Sequence, residues 1–167
     1  LIINYNKTNH KFNKILICGM GGSAIGGDTV KLIILGKDWV NSEIPIYVNR
    51  DYSIPGWVDS NTFIILSSYS GNTEETISCY KNCMAINSFV IIMTSGGELL
   101  KLAKEEELPY ALIPKGYMPR QALGYSVSII LKILNQYEMI NNNIIERIAF
   151  QINPLEKESD EYSIISE

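Results

Sequence analysis

Histidine is almost missing from this sequence: His10, in a polar segment near the start, is the single one among 167 residues. Cysteine is sparse as well, at three, an odd number that cannot close into pairs alone. Cys18 falls in an apolar run and Cys79 and Cys83 are spaced i, i+4, so buried thiols are expected rather than a disulfide framework or a metal site, which needs more ligands. His10 is assigned no chemistry and no metal is expected. An excess of positive charge is lacking too. Lys and Arg number 14 against 18 Asp and Glu, for a net charge of −4 and a pI near 5.1, which leaves no footprint for a nucleic-acid backbone.

Long hydrophobic stretches are also missing. Apolar runs such as those at 30–35 and 63–66 fall far short of the ~20 residues that cross a bilayer, and the first residues lack the apolar core of a signal peptide. No membrane partner and a cytoplasmic setting are therefore the expectation. What the chain does have is an ordinary globular composition, 46% hydrophobic and 19% charged, which excludes a disordered or collagen-like chain. Its length suits one domain. The start at Leu1 and the acidic stretch 156–161 read as cuts in a longer protein.

Short apolar runs at 14–18, 45–48, 62–66, 89–93 and 110–113 predict five strands. Helical patterns from about Ala24 through Leu35, and over 74–85, 98–106 and 121–138, alternate with them. Strands apolar on both faces, interleaved with helices, call for a parallel sheet covered on two sides. The expected fold is therefore α/β, a doubly wound, flavodoxin-like sheet of five parallel strands. In such sheets ligands sit beyond the carboxyl ends of the strands, where the strand order reverses. Residues 14–138 form the expected domain and 139–167 a helical or linker segment.

Three segments stand out. The first is Gly19-Met20-Gly21-Gly22-Ser23-Ala24-Ile25-Gly26-Gly27-Asp28, where glycines let the backbone approach a ligand and a helix start offers N–H groups to an anion. The same glycines could instead serve close strand–helix packing. Gly19-x-Gly21-x-x-Ala24 also matches a dinucleotide fingerprint, but the acidic residue that fingerprint requires at the end of the second strand is replaced by Asn49 and Arg50, with Asp51 only afterwards. The second segment is Ser67-Ser68-Tyr69-Ser70-Gly71-Asn72-Thr73. Ser68, Ser70 and Thr73 can face one phosphate with neutral donors, while Ser70 or Asn72 could simply cap the following helix. The third is Pro119-Arg120-Gln121-Ala122-Leu123-Gly124-Tyr125-Ser126, whose arginine stands in a first helical turn, where the helix dipole disfavours a cation. Either an anionic ligand or a surface ion pair would compensate it. Glu75 is a candidate base, or else a first-turn anion that stabilises its own helix.

Together Gly21-Gly22-Ser23, Ser68-Tyr69-Ser70-Gly71-Asn72-Thr73-Glu74-Glu75-Thr76 and Pro119-Arg120-x-Ala122-Leu123-Gly124-Tyr125-Ser126 resemble the N-terminal SIS (sugar isomerase) domain of bifunctional phosphoglucose/phosphomannose isomerases. That resemblance implies that Gly22, Ser23, Ser68, Ser70 and Thr73 hold a substrate phosphate. It implies that Arg120 is the catalytic residue here, stabilising a cis-enediolate as glucose 6-phosphate or mannose 6-phosphate interconverts with fructose 6-phosphate, with no cofactor and no metal. It places the base, a glutamate of a second SIS domain, and the ring-opening histidine of another subunit outside this chain, and it implies a homodimer. A phosphosugar-sensing SIS module without catalysis and a dinucleotide-binding domain remain the other readings.

Overall fold

The computed structural model describes residues 2–3, 10–35, 44–118, 121–140 and 146. Strands β1 (Ile2–Ile3), β2 (Lys14–Gly19), β3 (Ile46–Asn49), β4 (Thr62–Ser68), β5 (Phe89–Thr94) and β6 (Tyr110–Leu112) alternate with helices α1 (Gly21–Leu35), α2 (Glu74–Ala85), α3 (Gly97–Glu105) and α4 (Leu123–Gln136). They make one sheet in the order β1-β6-β5-β4-β2-β3. From β2 to β6 every pairing is parallel, so the expected five-stranded, doubly wound sheet is present. A sixth strand, β1, pairs antiparallel with β6 through Ile2 and Ile3. Two residues carry too little periodicity to have marked it in advance.

Alternation of side chains across each strand sorts the core into two layers. Ile15, Ile17, Phe63, Ile65, Ile91 and Met93 face α1 and α4, meeting Val30, Ile130 and Leu134. Leu16, Cys18, Ile64, Leu66, Val90 and Ile92 face the opposite way, against Cys79, Tyr80 and Cys83 of α2 and Leu99 and Ala103 of α3. All of β4 is buried, as the central strand of a sheet covered on both faces must be. Met139 and Ile140 still belong to the first layer, at 5% and 6% exposure. Of the proposed linker, 141–145 and 147–167 lie outside the described residues.

Helix α1 starts at Gly21 and not near Ala24, so most of the glycine-rich segment is helix. The reason is packing. A Cβ on Gly26 would stand 2.9 Å from the Cβ of Ser126 in α4, and one on Gly27 would stand 3.1 Å from Ile17. These two glycines let α1 lie close to its neighbours, and that burial outweighs their poor helix propensity. Helix α4 likewise begins at Leu123, after a turn at Gln121 and Ala122, two residues later than its sequence pattern suggested.

Candidate functional site

Strand order reverses between β2 and β4, since β3 lies outside β2 on one side and β5 and β6 lie beyond β4 on the other. Gly19 and Ser67 are register partners at the carboxyl ends of these two strands. A Cβ on Gly19 would meet the Ser67 carbonyl oxygen at 2.8 Å and the Ser23 Cβ at 3.3 Å. The bare glycine therefore lets the start of α1 close directly onto the serine-rich loop. Gly21, at φ +48°, turns the chain into the helix, and Met20 O accepts the N–H of Ser23 at 3.0 Å. Ser23 is buried and Gly22 half-buried. No acidic residue stands in the first turn of α1, so its positive dipole end carries no carboxylate of its own.

Across the crevice, Ser68 Oγ and Thr73 Oγ1 lie 2.7 Å apart, and Ser68 Oγ accepts the Gly71 N–H at 3.1 Å. The exposed Ser70 accepts the Asn72 N–H at 3.2 Å. Neither Ser70 nor Asn72 caps α2. Thr73 holds that position in extended conformation, and its hydroxyl makes no capping bond because it is turned to Ser68. The first N–H groups of α2, which no helical carbonyl can satisfy, are left without a side-chain cap.

Asn72 instead serves α3: its Oδ1 accepts the Glu98 N–H at 2.9 Å, while Gly71 O accepts the Leu99 N–H at 3.0 Å. This contact requires glycine, since Gly71 has φ +72° and a Cβ there would stand 1.8 Å from the Gly96 oxygen. Ser95 Oγ donates to Tyr69 O at 2.7 Å and closes the back of the loop. That Asn72 and Tyr69 reach this far was not legible in the sequence, because their partners lie 26 residues away.

Glu74 and Glu75 occupy the first turn of α2. Their field falls on Tyr52: Glu75 foremost, with burial and Glu74 behind it, pushes the Tyr52 phenol above its ordinary range. Asn49 ends β3 where a dinucleotide fold would need a carboxylate, and its amide donates to Asp51 O at 3.3 Å, Ser53 O at 2.9 Å and Cys79 Sγ at 3.4 Å. The end of β3 is thus a tied-off turn.

All three cysteines are buried between the sheet and α2. A hydrogen bond with Cys79, followed by burial, pushes the Cys18 thiol up; burial pushes Cys83 up to about 12. Cys79 is lowered, chiefly by the bond from Cys18. Among the described residues no group of three or more His, Cys, Asp or Glu could hold a metal ion, and no helix is long and apolar enough to cross a membrane. The His10 ring lies tilted against Phe12 with centroids 4.9 Å apart, ahead of β2 and so at the sheet edge away from the serine loop.

Pro119 and Arg120 lie outside the described residues. Beside them in sequence, Ala122 and Ser126 are buried, with Ser126 against Gly26. The starts of α1 and α4 therefore share one edge of the molecule. The structure gathers Gly22, Ser23, Ser68, Ser70 and Thr73 at this edge around the switch point.

The chain is 41% identical over 149 residues to a protein of Caldicellulosiruptor bescii named bifunctional phosphoglucose/phosphomannose isomerase, a match that covers 87% of this chain and 43% of that one. It is 36% identical over 126 residues to the protein of the same name from Aquifex aeolicus, covering 74% of this chain and 38% of the relative. The chain thus spans less than half the length of these curated relatives. No family model matches it. Among solved structures, a phosphosugar isomerase assigned as such in Salmonella typhimurium superposes with a TM-score of 0.56 at 21% identity, over 82% of this chain and 42% of that one; this likeness speaks for the fold.

Proposed function

The chain belongs to the bifunctional phosphoglucose/phosphomannose isomerase family, and from that premise we propose that it is the sugar-phosphate-binding half of an aldose–ketose isomerase. The observation that carries the reading is the hydroxyl-rich loop 67–73 set at the switch point, with the uncapped start of α2 behind it and the carboxylate-free start of α1 facing it. A phosphate dianion offers acceptor oxygens in several directions. Ser68, Ser70 and Thr73 supply hydroxyls, and Gly22 and Ser23 contribute from the first turn of α1.

In this reading the phosphate anchors glucose 6-phosphate, mannose 6-phosphate or fructose 6-phosphate so that C1 and C2 project away from the loop. A proton moves between these carbons through a cis-enediolate. Arg120 stabilises the negative charge that develops on the enediolate oxygens. The proton transfer needs a base with suitable pKa and reach. Glu75 stands in the first turn of α2, where its carboxylate stabilises that helix's own positive dipole end. The base and the ring-opening group therefore come from outside this chain, the latter from a second subunit of a homodimer. Such a protein works without metal or organic cofactor, and in the cytoplasm, where its substrates are made and used.

Isothermal titration of the chain with fructose 6-phosphate, with NAD as control and a coupled isomerase assay on the same sample, tests this. The expected result is binding of the sugar phosphate without turnover. Binding of NAD alone would sink the reading, and turnover would return the base to Glu75. In a protein carrying both halves, Arg120→Ala should lower kcat more than it raises KM, because the guanidinium acts on charge that appears only in the transition state.

A further inference from the structure

The loop after β6 carries a lysine that no motif singles out. Pro114 and Tyr117 bracket it, and both are tied to the middle of the serine loop: Tyr69 OH donates to Pro114 O at 3.2 Å and accepts the Tyr117 N–H at 2.9 Å. Gly116, at φ +93°, makes the turn between them. Lys115 is therefore held on a short bridge whose two ends rest on one hydroxyl of the loop 67–73. Its Cε and Nζ each lie 3.6 Å from where a Cβ on Gly96 would stand, and Gly96 O is in turn the atom packed against Gly71. The ammonium consequently sits beside Gly96, whose carbonyl packs on Gly71 at the back of the serine loop.

Among the described residues nothing of opposite charge meets it there. The ion pairs among the described residues join Lys14 to Asp59, Arg50 to Asp28 and Lys101 to Glu98 and Glu105, and none of them includes Lys115. Its neighbour Gly96 is the N-cap of α3, a dipole end that disfavours a cation. A bridged loop that holds an unpaired ammonium at that place is explained if an anion shares the site. The glutamates at the start of α2 sharpen the need, since they repel a phosphate that the neutral hydroxyls bind.

We propose that Lys115 is a further substrate-binding residue, whose ammonium swings on its flexible four-carbon stem to neutralise the phosphate held by Ser68, Ser70 and Thr73. The proposal rests on the sugar-phosphate reading of the same loop. Titrations with inorganic phosphate and with fructose 6-phosphate, each at low and at high salt, test it on the wild-type chain and on Lys115→Met, Lys115→Arg and Lys104→Met.

The expected result is a Kd about tenfold higher for Lys115→Met, the scale of one charge-assisted contact. Its salt dependence should also be flatter, because a screened attraction has been removed. Lys115→Arg should keep most of the affinity, and Lys104→Met, on an exposed turn of α3, should match wild type. Wild-type binding that Lys115→Met reproduces at both salt concentrations overturns the role of Lys115 and leaves the serine loop intact. A wild-type chain that binds neither ligand overturns the site itself, and Lys115 with it.

Discussion

Hydrogen bonds around Ser68 define the donors the loop can offer. Ser68 Oγ accepts the Gly71 N–H and shares one proton with Thr73 Oγ1 at 2.7 Å, either hydroxyl being able to donate, so the proton of the other hydroxyl is left for an anion. Linked donors of this kind polarise one another. Removing the Ser68 hydroxyl should weaken phosphate binding, because the pair and its spare donor are lost together. Ser68→Ala is expected to raise the Kd for fructose 6-phosphate about tenfold, from the loss of ~1–2 kcal/mol. Titration calorimetry on the variant checks this, and an unchanged Kd would mean that the pair is only structural.

At this scale the sequence was half legible. A crowd of hydroxyls in 67–73 marked a candidate anion site, because residue type is enough to supply donors. Which partner each side chain takes was not legible. Thr73 rather than Ser70 or Asn72 stands at the head of α2, and Asn72 is spent on α3, because those choices depend on how two loops distant in sequence are folded together.

Helices α1 and α4 show a second kind of misreading. Five glycines between Gly19 and Gly27 look like an extended loop by propensity, yet Gly21, Gly22, Gly26 and Gly27 are helical. The missing Cβ at Gly26 is what lets α4 approach, and the space there is not available to a larger residue. Gly26→Val should push the helices apart and cost ~1–3 kcal/mol of stability, read as a lower Tm. The same change should also weaken sugar-phosphate binding, since the starts of both helices flank the site; a Tm equal to wild type would show that the contact yields easily. Helix α2, by contrast, was legible in its bounds, 74–85, because the paired glutamates Glu74 and Glu75 mark a first turn wherever the helix is packed, although its cap was not.

For the molecule as a whole, the parallel sheet was the most legible feature. Strands such as β4 bury every residue, so an uninterrupted apolar run between turn signals could belong only to a sheet covered on both faces. The strand β1 was not legible, as its two residues carry no pattern. Charge follows the same division between the two edges of the sheet. Far from the site, at the start of β2, Lys14 donates to Asp59 at 2.8 Å and also to the Trp57 carbonyl. The Lys14 bond, foremost among its causes, holds the Asp59 carboxyl below its ordinary range. A depressed carboxyl favours the fold above its unfolded pKa of about 3.9, and that contribution disappears as pH falls through the lower folded value. Asp59→Asn should accordingly flatten the acid limb of a Tm-against-pH curve below about pH 4, by the small amount an exposed pair allows; an acid limb identical to wild type would show that the pair adds nothing.

Amide chemical-shift mapping of the chain during titration with fructose 6-phosphate tests the central claim most directly, because it reports where the phosphate sits as well as whether it binds. The account predicts saturable shifts at Gly22 and Ser23 and across Ser68, Ser70, Gly71 and Thr73 into the first turn of α2, with smaller ones at Lys115 and Tyr117. Shifts confined to the turn after β3, around Asn49 and Asp51, or none at all, would contradict it.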